Sequence, residues 1–385
     1  MSTDRGRALV EWAELWRRRE PDLLVHDPGG PRECLVRAGQ LVVAADSVGP
    51  AMRALDRWVE RVELTEEAKL ATLRLRPSAG RRCVELALDA GGPAAANHVH
   101  VGCPLLLGTP ILHGTAAAPG PAAEPPPPPL EHWSPPVTVA VLDTGLDPHP
   151  WFAGRTWLSD WDLQPEILDA DGDRESDRQA GHGTFVAGIV LRYAPGATIR
   201  HRRVLTSQGL TDDRTLAAAL RAVRHQAARR GEHLDVVLLT AGCHTADDRC
   251  PPLLAREISR FTDAAVVAAA GNGATTRPFW PAALPEVMAV AATNGQPGSL
   301  APFSNRGPWV DAAAPGVDIV SSFVRFHPPE RGQAHDTETR RYGAASWSGT
   351  SFAAPRLAAV IATLLHTGRT LPEAHQQTRD RFPPP

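Results

Sequence analysis

A chain of 385 residues exceeds the size, about 250–300 residues, at which one hydrophobic core stops growing, so a large domain with a smaller companion is expected. The hydrophobic fraction of 43% and charged fraction of 22% are those of a soluble globular protein, and a formal charge of -3 gives no electrostatic reason to expect nucleic-acid binding. No apolar run approaches the roughly 18 residues of a membrane-spanning helix, which excludes that class of membrane protein.

Along the N-terminal segment, Arg5, Arg7, Glu11, Glu14 and the run Arg17 to Arg19 break up any apolar leader, so the sequence predicts a protein retained in the cytoplasm. Residues 7–20 place Leu9, Trp12, Leu15 and Trp16 on one helical face, expected to pack on the domain's own sheet rather than on a membrane. Residues 40–45 and 70–76 read as strands, with an intervening helix over 50–60, so that residues 1–118 form a small α+β domain. His98 and His100 fall on one face of a strand; such a pair can seed a metal site, but with no carboxylate or cysteine cluster beside it in the sequence it reads as a surface strand. Cys34, Cys83, Cys103, Cys243 and Cys250 are odd in number and lack a short metal-type spacing, which disfavours a disulfide framework or a zinc site; only a Cys243–Cys250 pairing stays open.

From Pro119 to Pro136 nine prolines, five of them consecutive, hold the backbone extended and deny it regular hydrogen bonding, which predicts a semi-rigid linker over residues 119–136. Beyond it, residues 137–385 alternate strand and helix: strands over 137–142, 198–205, 234–240, 264–270 and 287–292, helices over 182–193, 216–228 and 253–261. The Val- and Leu-rich strands lack polar alternation, as in a mostly parallel sheet covered by helices on both faces, whose ligand site lies at the carboxyl ends of the strands.

Three segments at such ends carry chemistry. Asp143 follows four apolar residues and would be a buried carboxylate in need of partners, although alone it could equally cap a turn. His182 opens an apolar run between Gly181 and Gly183, whose small size grants access to the imidazole; alone it could be a structural histidine. Ser351, in Ser348-Gly349-Thr350-Ser351-Phe352-Ala353-Ala354-Pro355, stands at the amino end of a long apolar helix, where unpaired N–H groups and the helix dipole favour a developing negative charge. Pro355 reads as lying early enough in that helix for its missing donor to cost little.

These segments resemble the Asp, His and Ser signatures of the subtilisin-like serine peptidases, in that family's order, and the similarity extends from about Val137 to His366. Leu239, Thr240, Ala241 and Gly242 resemble the family's substrate-pairing strand, and Ala270-Gly271-Asn272 its oxyanion segment; Phe303 to Gly307 and Ala314-Pro315-Gly316 also fit. The resemblance implies a serine endopeptidase acting on polypeptides, with Ser351 as nucleophile, His182 as general base and acid, Asp143 orienting the imidazole, and the Asn272 side chain with the Ser351 N–H as oxyanion donors. It implies no cofactor for the chemistry. A structural calcium fits the loop Asp169 to Asp173 in kind but is not indicated, because the twelfth position of a calcium-binding loop counted from Asp169 is Ala180 and not glutamate.

The sequence departs from the family in three places. Phe185 and Phe352 replace a histidine and a methionine common there, and Phe279 stands where a small residue usually forms the floor of the pocket for the residue before the scissile bond, which predicts a shallow pocket. Residues 326–341 read as an inserted surface loop. The small N-terminal domain loosely resembles a propeptide, while a retained domain that binds a partner protein is the other expectation. Two rival functions are an esterase, whose serine lies in Gly-x-Ser-x-Gly and precedes its acid and base, and a catalytically silent peptide-binding protein. Ser351 comes last in the chain with Ala353 in the second glycine position, which removes the first rival.

Overall fold

The computed structural model describes residues 19–102, 118–159, 163–296, 298–328 and 340–385. The Trp-bearing stripe and Cys103 lie outside them, as do residues 329–339 of the expected surface loop. The N-terminal domain runs β1 (Leu23–His26), β2 (Cys34–Ala44), α1 (Val48–Leu55), β3 (Val59–Thr65), β4 (Leu70–Leu75), α2 (Cys83–Ala90) and β5 (Ala95–Gly102). Its sheet is antiparallel in the order β5-β2-β4-β3, with β1 paired to β2.

One face of that sheet packs Leu41, Val43 and Leu73 against Leu55, Val84 and Leu86 of α1 and α2. On the other face Val42, Ala44 and Leu70 meet Ala217 and Leu253 of the larger domain. This double cover explains why β2 and β4 are apolar on both sides, where a free-standing two-layer domain would alternate. Each large side chain so buried contributes about 1.5–3 kcal/mol. His98 and His100 do share a strand face, but it is an internal one: both are buried against Asp213 of the larger domain, so the surface-strand expectation is overturned.

The proline-rich segment lies along the larger domain. Its first residues form β6 (Gly120–Pro121), paired antiparallel with Ser346 and Ala345. Prolines lack N–H groups, so carbonyls are what this stretch offers: Arg155 donates to the Pro129 carbonyl at 2.8 Å and Arg192 to that of Pro126 at 3.2 Å. Trp133 stacks on His366 with ring centroids 4.3 Å apart.

The larger domain continues with β7 (Thr138–Asp143), α3 (His182–Tyr193), β8 (Thr198–Arg203), β9 (Leu210–Asp212), α4 (Asp213–Arg229), β10 (Val236–Leu239), β11 (Ala241–Gly242), α5 (Pro252–Ile258), β12 (Ala265–Ala269), β13 (Val287–Thr293), β14 (Ala312–Pro315), β15 (Ile319–Phe326), β16 (Arg340–Trp347), α6 (Thr350–His366) and α7 (Leu371–Arg381). Its main sheet has the order β14-β13-β12-β10-β7-β8, parallel throughout. Helices α3 and α6 cover one face and α4 and α5 the other, as the unalternating strands required. The chain steps from β7 outward to β8 and then returns to β10 on the opposite side, so strand order reverses at β7 and a crevice opens at its carboxyl end.

Small residues let α6 approach that sheet: Ala353, Ala354, Ala358, Ala359 and Ala362 are all buried. Pro355 corrects one expectation, because it is not in the first turn of α6 but within the helix, where it deprives the Ser351 carbonyl of its usual donor four residues on. Helix α3 is pinned to β15 by the Ser321 and Ser322 hydroxyls, which donate to the Phe185 and Thr184 carbonyls at 2.7 and 2.9 Å. Cys243 and Cys250 are both free thiols, which removes the pairing the sequence left open.

Candidate active site

Asp143 ends β7 and is wholly buried, so each of its oxygens needs a partner, and each has them. One oxygen accepts from the Thr144 N–H at 2.7 Å and meets His182 Nδ1 at 2.7 Å; the other accepts from the Thr240 hydroxyl at 2.6 Å. Burial pushes the Asp143 carboxyl upward, but the His182 charge and these hydrogen bonds outweigh it and hold the group below the ordinary carboxylate range. Because an ionised carboxylate only accepts, the Nδ1 of His182 carries a proton, which points Nε2 away from Asp143.

His182 is the first residue of α3, preceded by Gly181 at φ 83°, a left-handed conformation that glycine adopts without strain. Gly183 is packed so closely on the turn after β7 that an added Cβ would lie 3.1 Å from the Gly145 nitrogen and 3.2 Å from the Asp143 Cβ. The imidazole is framed by Trp347 edge-on at 5.5 Å and by Phe352 at 5.2 Å. Since Phe352 follows Ser351, this contact brings the start of α6 to the ring. The Ser351 hydroxyl is buried and has no hydrogen-bond partner.

Asn272 follows β12 in the loop opened by Gly271, which has φ 95°. Its side-chain oxygen accepts from the Thr350 N–H at 3.0 Å and the Thr350 hydroxyl at 2.9 Å. A backbone N–H can only donate, so the amide orientation is fixed, and its NH₂ group is left buried and without a partner beside the helix start that carries Ser351. Asn305 braces this loop from behind, donating to the Ala270 carbonyl at 2.8 Å and accepting from the Gly273 N–H at 2.8 Å. Asp143 and His182 thus pair at the carboxyl end of β7, and the contacts of Phe352 with His182 and of Thr350 with Asn272 bring the start of α6 beside both, with the Ser351 hydroxyl and the Asn272 NH₂ group each buried without a partner.

The remaining expected residues divide by role. Leu239 packs into the core under α4 and Thr240 is engaged with Asp143, so neither side chain lines the cleft. Ala241 and Gly242 offer their backbone to an antiparallel neighbour, and that neighbour is β5: Ala241 pairs with Gly102 and Gly242 with Val101. On its far side β5 pairs with β9, Val101 opposite Leu210, and the Gly102 N–H donates to the Gly209 carbonyl at 2.7 Å. The N-terminal domain therefore fills the slot between β9 and β11 with its own last strand. Phe279 is buried between the two glycines at the cleft wall: an added Cβ would come within 2.5 Å of its ring at Gly242 and within 2.9 Å at Gly271.

Thr240 and Thr350 hold the Asp143 and Asn272 side chains and Asn305 holds the Asn272 loop by its backbone, although the sequence singled out none of them for that task. Glu166 was also missed; it is buried next to Asp143, its carboxylate accepting from the Thr184 N–H at 2.9 Å, and burial, with the Asp143 and Asp147 carboxylates nearby, pushes its pKa up to about 7. Asp169, Asp171 and Asp173 cluster in a loop, where Asp169 accepts the N–H groups of Gly172, Asp173 and Arg174 and Arg19 pairs with Asp171.

The profile of the subtilase family matches residues 135–378. A thermophilic serine proteinase from Bacillus sp. (strain AK1) is 33% identical over 257 residues, which are 63% of this chain and 56% of that protein. Thermitase from Thermoactinomyces vulgaris is 31% identical over 243 residues, covering 60% of this chain and 76% of that protein. The crystal structure of fervidolysin from Fervidobacterium pennivorans, a keratinolytic enzyme related to subtilisin, matches with a TM-score of 0.53 at 20% identity, covering 86% of this chain and 55% of that one, a likeness of fold.

Proposed function

This chain belongs to the subtilase family, and from that premise we propose that it is a serine endopeptidase that cleaves polypeptides through an acyl-enzyme. The observation that carries the reading is the 2.7 Å contact between His182 Nδ1 and Asp143, which turns the basic nitrogen of the ring away from the carboxylate. Ser351 Oγ attacks the scissile carbonyl while His182 Nε2 takes its proton, and Asp143 stabilises the imidazolium that forms. The tetrahedral oxyanion is met by the unpartnered NH₂ group of Asn272 and the Ser351 N–H at the positive end of α6. His182 then gives its proton to the leaving amine, and water repeats the sequence to release the acyl group.

Ala241, Gly242 and β9 act as the two edges between which an extended peptide adds as a strand. The ring of Phe279 between Gly242 and Gly271 supports a shallow pocket for the side chain before the scissile bond, which favours small residues there. Because β5 occupies the slot, the N-terminal domain works as an internal occupant of the cleft, a propeptide-like role that substrates must displace or cleavage must end.

A fluorophosphonate probe tests the proposal: protein freed of the N-terminal domain should label at Ser351, and Ser351→Ala should abolish labelling. Failure of the intact domain to label under conditions where β5 is displaced overturns the peptidase and favours a silent peptide-binding protein. Phe279→Ala should shift a peptide-library profile toward Phe and Leu; an unchanged profile removes the pocket assignment.

A further inference from the structure

The His-x-His pair of β5 and the cysteine that follows β11 meet at a single carboxylate. Asp213, the first residue of α4, is completely buried. One of its oxygens accepts from the His98 N–H at 2.8 Å and lies 2.9 Å from His98 Nδ1; the other lies 2.7 Å from His100 Nε2. The Cys243 thiol joins them, with the donor atoms of His100, Asp213 and Cys243 all within 4.8 Å of one another. Every member is buried, Cys243 forms no disulfide, and the second ring nitrogen of His100 has no hydrogen-bond partner.

A hydrogen-bonded ion pair accounts for only part of this cluster. It satisfies Asp213, but it leaves a buried imidazole nitrogen without a partner and a thiol against a carboxylate in a dry interior, where a half-satisfied polar network is costly. A cation shared by the thiolate, the carboxylate and one nitrogen of His100 relieves the contact of thiol and carboxylate. Thiolate, imidazole and carboxylate together form a borderline-soft donor set of the kind zinc takes, and the thiolate argues against calcium or magnesium. Metal–ligand bonds of about 2.0–2.3 Å put tetrahedral donor atoms roughly 3.3–3.7 Å apart, so the three side chains need shift by about 1 Å or less from where they stand.

We propose that His100, Asp213 and Cys243 form a zinc site that staples the N-terminal domain into the cleft, with His98 holding the outer oxygen of Asp213 as its orienting partner. The ligands come from three places: β5 of the N-terminal domain, the start of α4 directly after β9, and the residue directly after β11. One ion therefore ties the inserted strand to both of the edges that flank it. Metal binding stands without the peptidase reading; only its restraint of activity rests on it.

The test uses untagged full-length protein stripped of metal and titrated with Zn²⁺ against a chromophoric chelator, with Co²⁺ as spectroscopic stand-in. Expected are one equivalent of zinc per chain and a thiolate-to-cobalt charge-transfer band. Cys243→Ser should abolish that band, His100→Ala should weaken zinc binding by about 100-fold or more, and His98→Ala by about 10–100-fold, the effect of losing an orienting partner. Absence of stoichiometric zinc binding by the wild type overturns the site, as does a cobalt band that survives Cys243→Ser. The wild-type titration decides even where a variant does not fold. If zinc binds as proposed and the fluorophosphonate probe labels nothing even in protein freed of the N-terminal domain, the metal site stands and the peptidase reading falls.

Discussion

Asp143 and Asp213 are both fully buried, both paired at 2.7 Å with a histidine, and both held below the ordinary carboxylate range, Asp213 at about 2. They differ in where their partners come from. Asp143 draws His182, Thr144 and Thr240 from its own domain, so folding of that domain completes it. The histidines of Asp213 lie 113 and 115 residues away, in the other domain, so its cluster exists only while β5 is docked. The same pair of residue types thus serves as a permanent fixture in one place and as a closure between domains in the other. Local chemistry does not tell the two apart; topology does.

Replacing each aspartate by asparagine breaks the comparison most sharply. Asp143→Asn leaves the shape intact but presents His182 with a group that cannot hold the required tautomer, and peptide hydrolysis by the freed domain should fall by roughly 10⁴-fold, a magnitude carried over from serine peptidases. Asp213→Asn should leave the turnover number of the freed domain within a factor of a few, while in the full-length chain it loosens β5 and raises activity. Turnover numbers of the four proteins, two full-length and two freed, check this; equal losses for both substitutions would mean that Asp213 belongs to the reaction centre. Asn272→Ala comes next. Its NH₂ group is the buried donor without a partner, and its removal should lower turnover by about 10²–10³-fold with little change in KM, again a magnitude carried over from subtilisin.

The contrast also marks what a sequence can disclose. Asp143, His182, Asn272 and Ser351 were legible because each stands where a strand ends or a helix begins, flanked by Gly, Ser or Thr, and such junctions in a parallel sheet converge at one edge. The alternation of strand and helix, and the covered sheet it implies, were legible for the same reason: apolar strands without a polar face need two layers. The Asp213 cluster was not. The sequence shows His98 and His100 at the right spacing, but the carboxylate and thiol that complete them arrive only through docking of two domains. Likewise residues 40–45 and 70–76 read only as strands of a small α+β domain, and the larger domain explains the second apolar face of β2 and β4. The sequence read Thr240 only as part of the substrate-pairing strand and gave Thr350 no task, because a threonine after a strand or at a helix start is commonplace and nothing local says which buried group its hydroxyl will hold.

Glu166 sharpens the comparison from the other side, as a buried carboxylate whose oxygens are held by threonine rather than by histidine. The N–H and hydroxyl of Thr184 do not offset the loss of water and the nearby Asp143 and Asp147 charges, so its pKa rises from 4.5 to about 7. For an acid whose folded-state pKa is raised, folding is favoured by the proton: the full contribution is present below about pH 4.5, and it is lost as pH climbs through about 7. Over that window the buried charge should remove on the order of 3 kcal/mol of stability. Glu166→Gln keeps an oxygen for Thr184 without the charge, so its unfolding free energy relative to the wild type should rise between pH 4.5 and 7 and level off above. Denaturant midpoints at a series of pH values for Ser351→Ala and the double variant, neither of which can digest itself, give that difference directly. A flat difference would mean that Glu166 ionises in the folded protein as readily as in the unfolded chain, its charge balanced by a partner such as a cation from solution, and that burial alone does not separate it from the two aspartates.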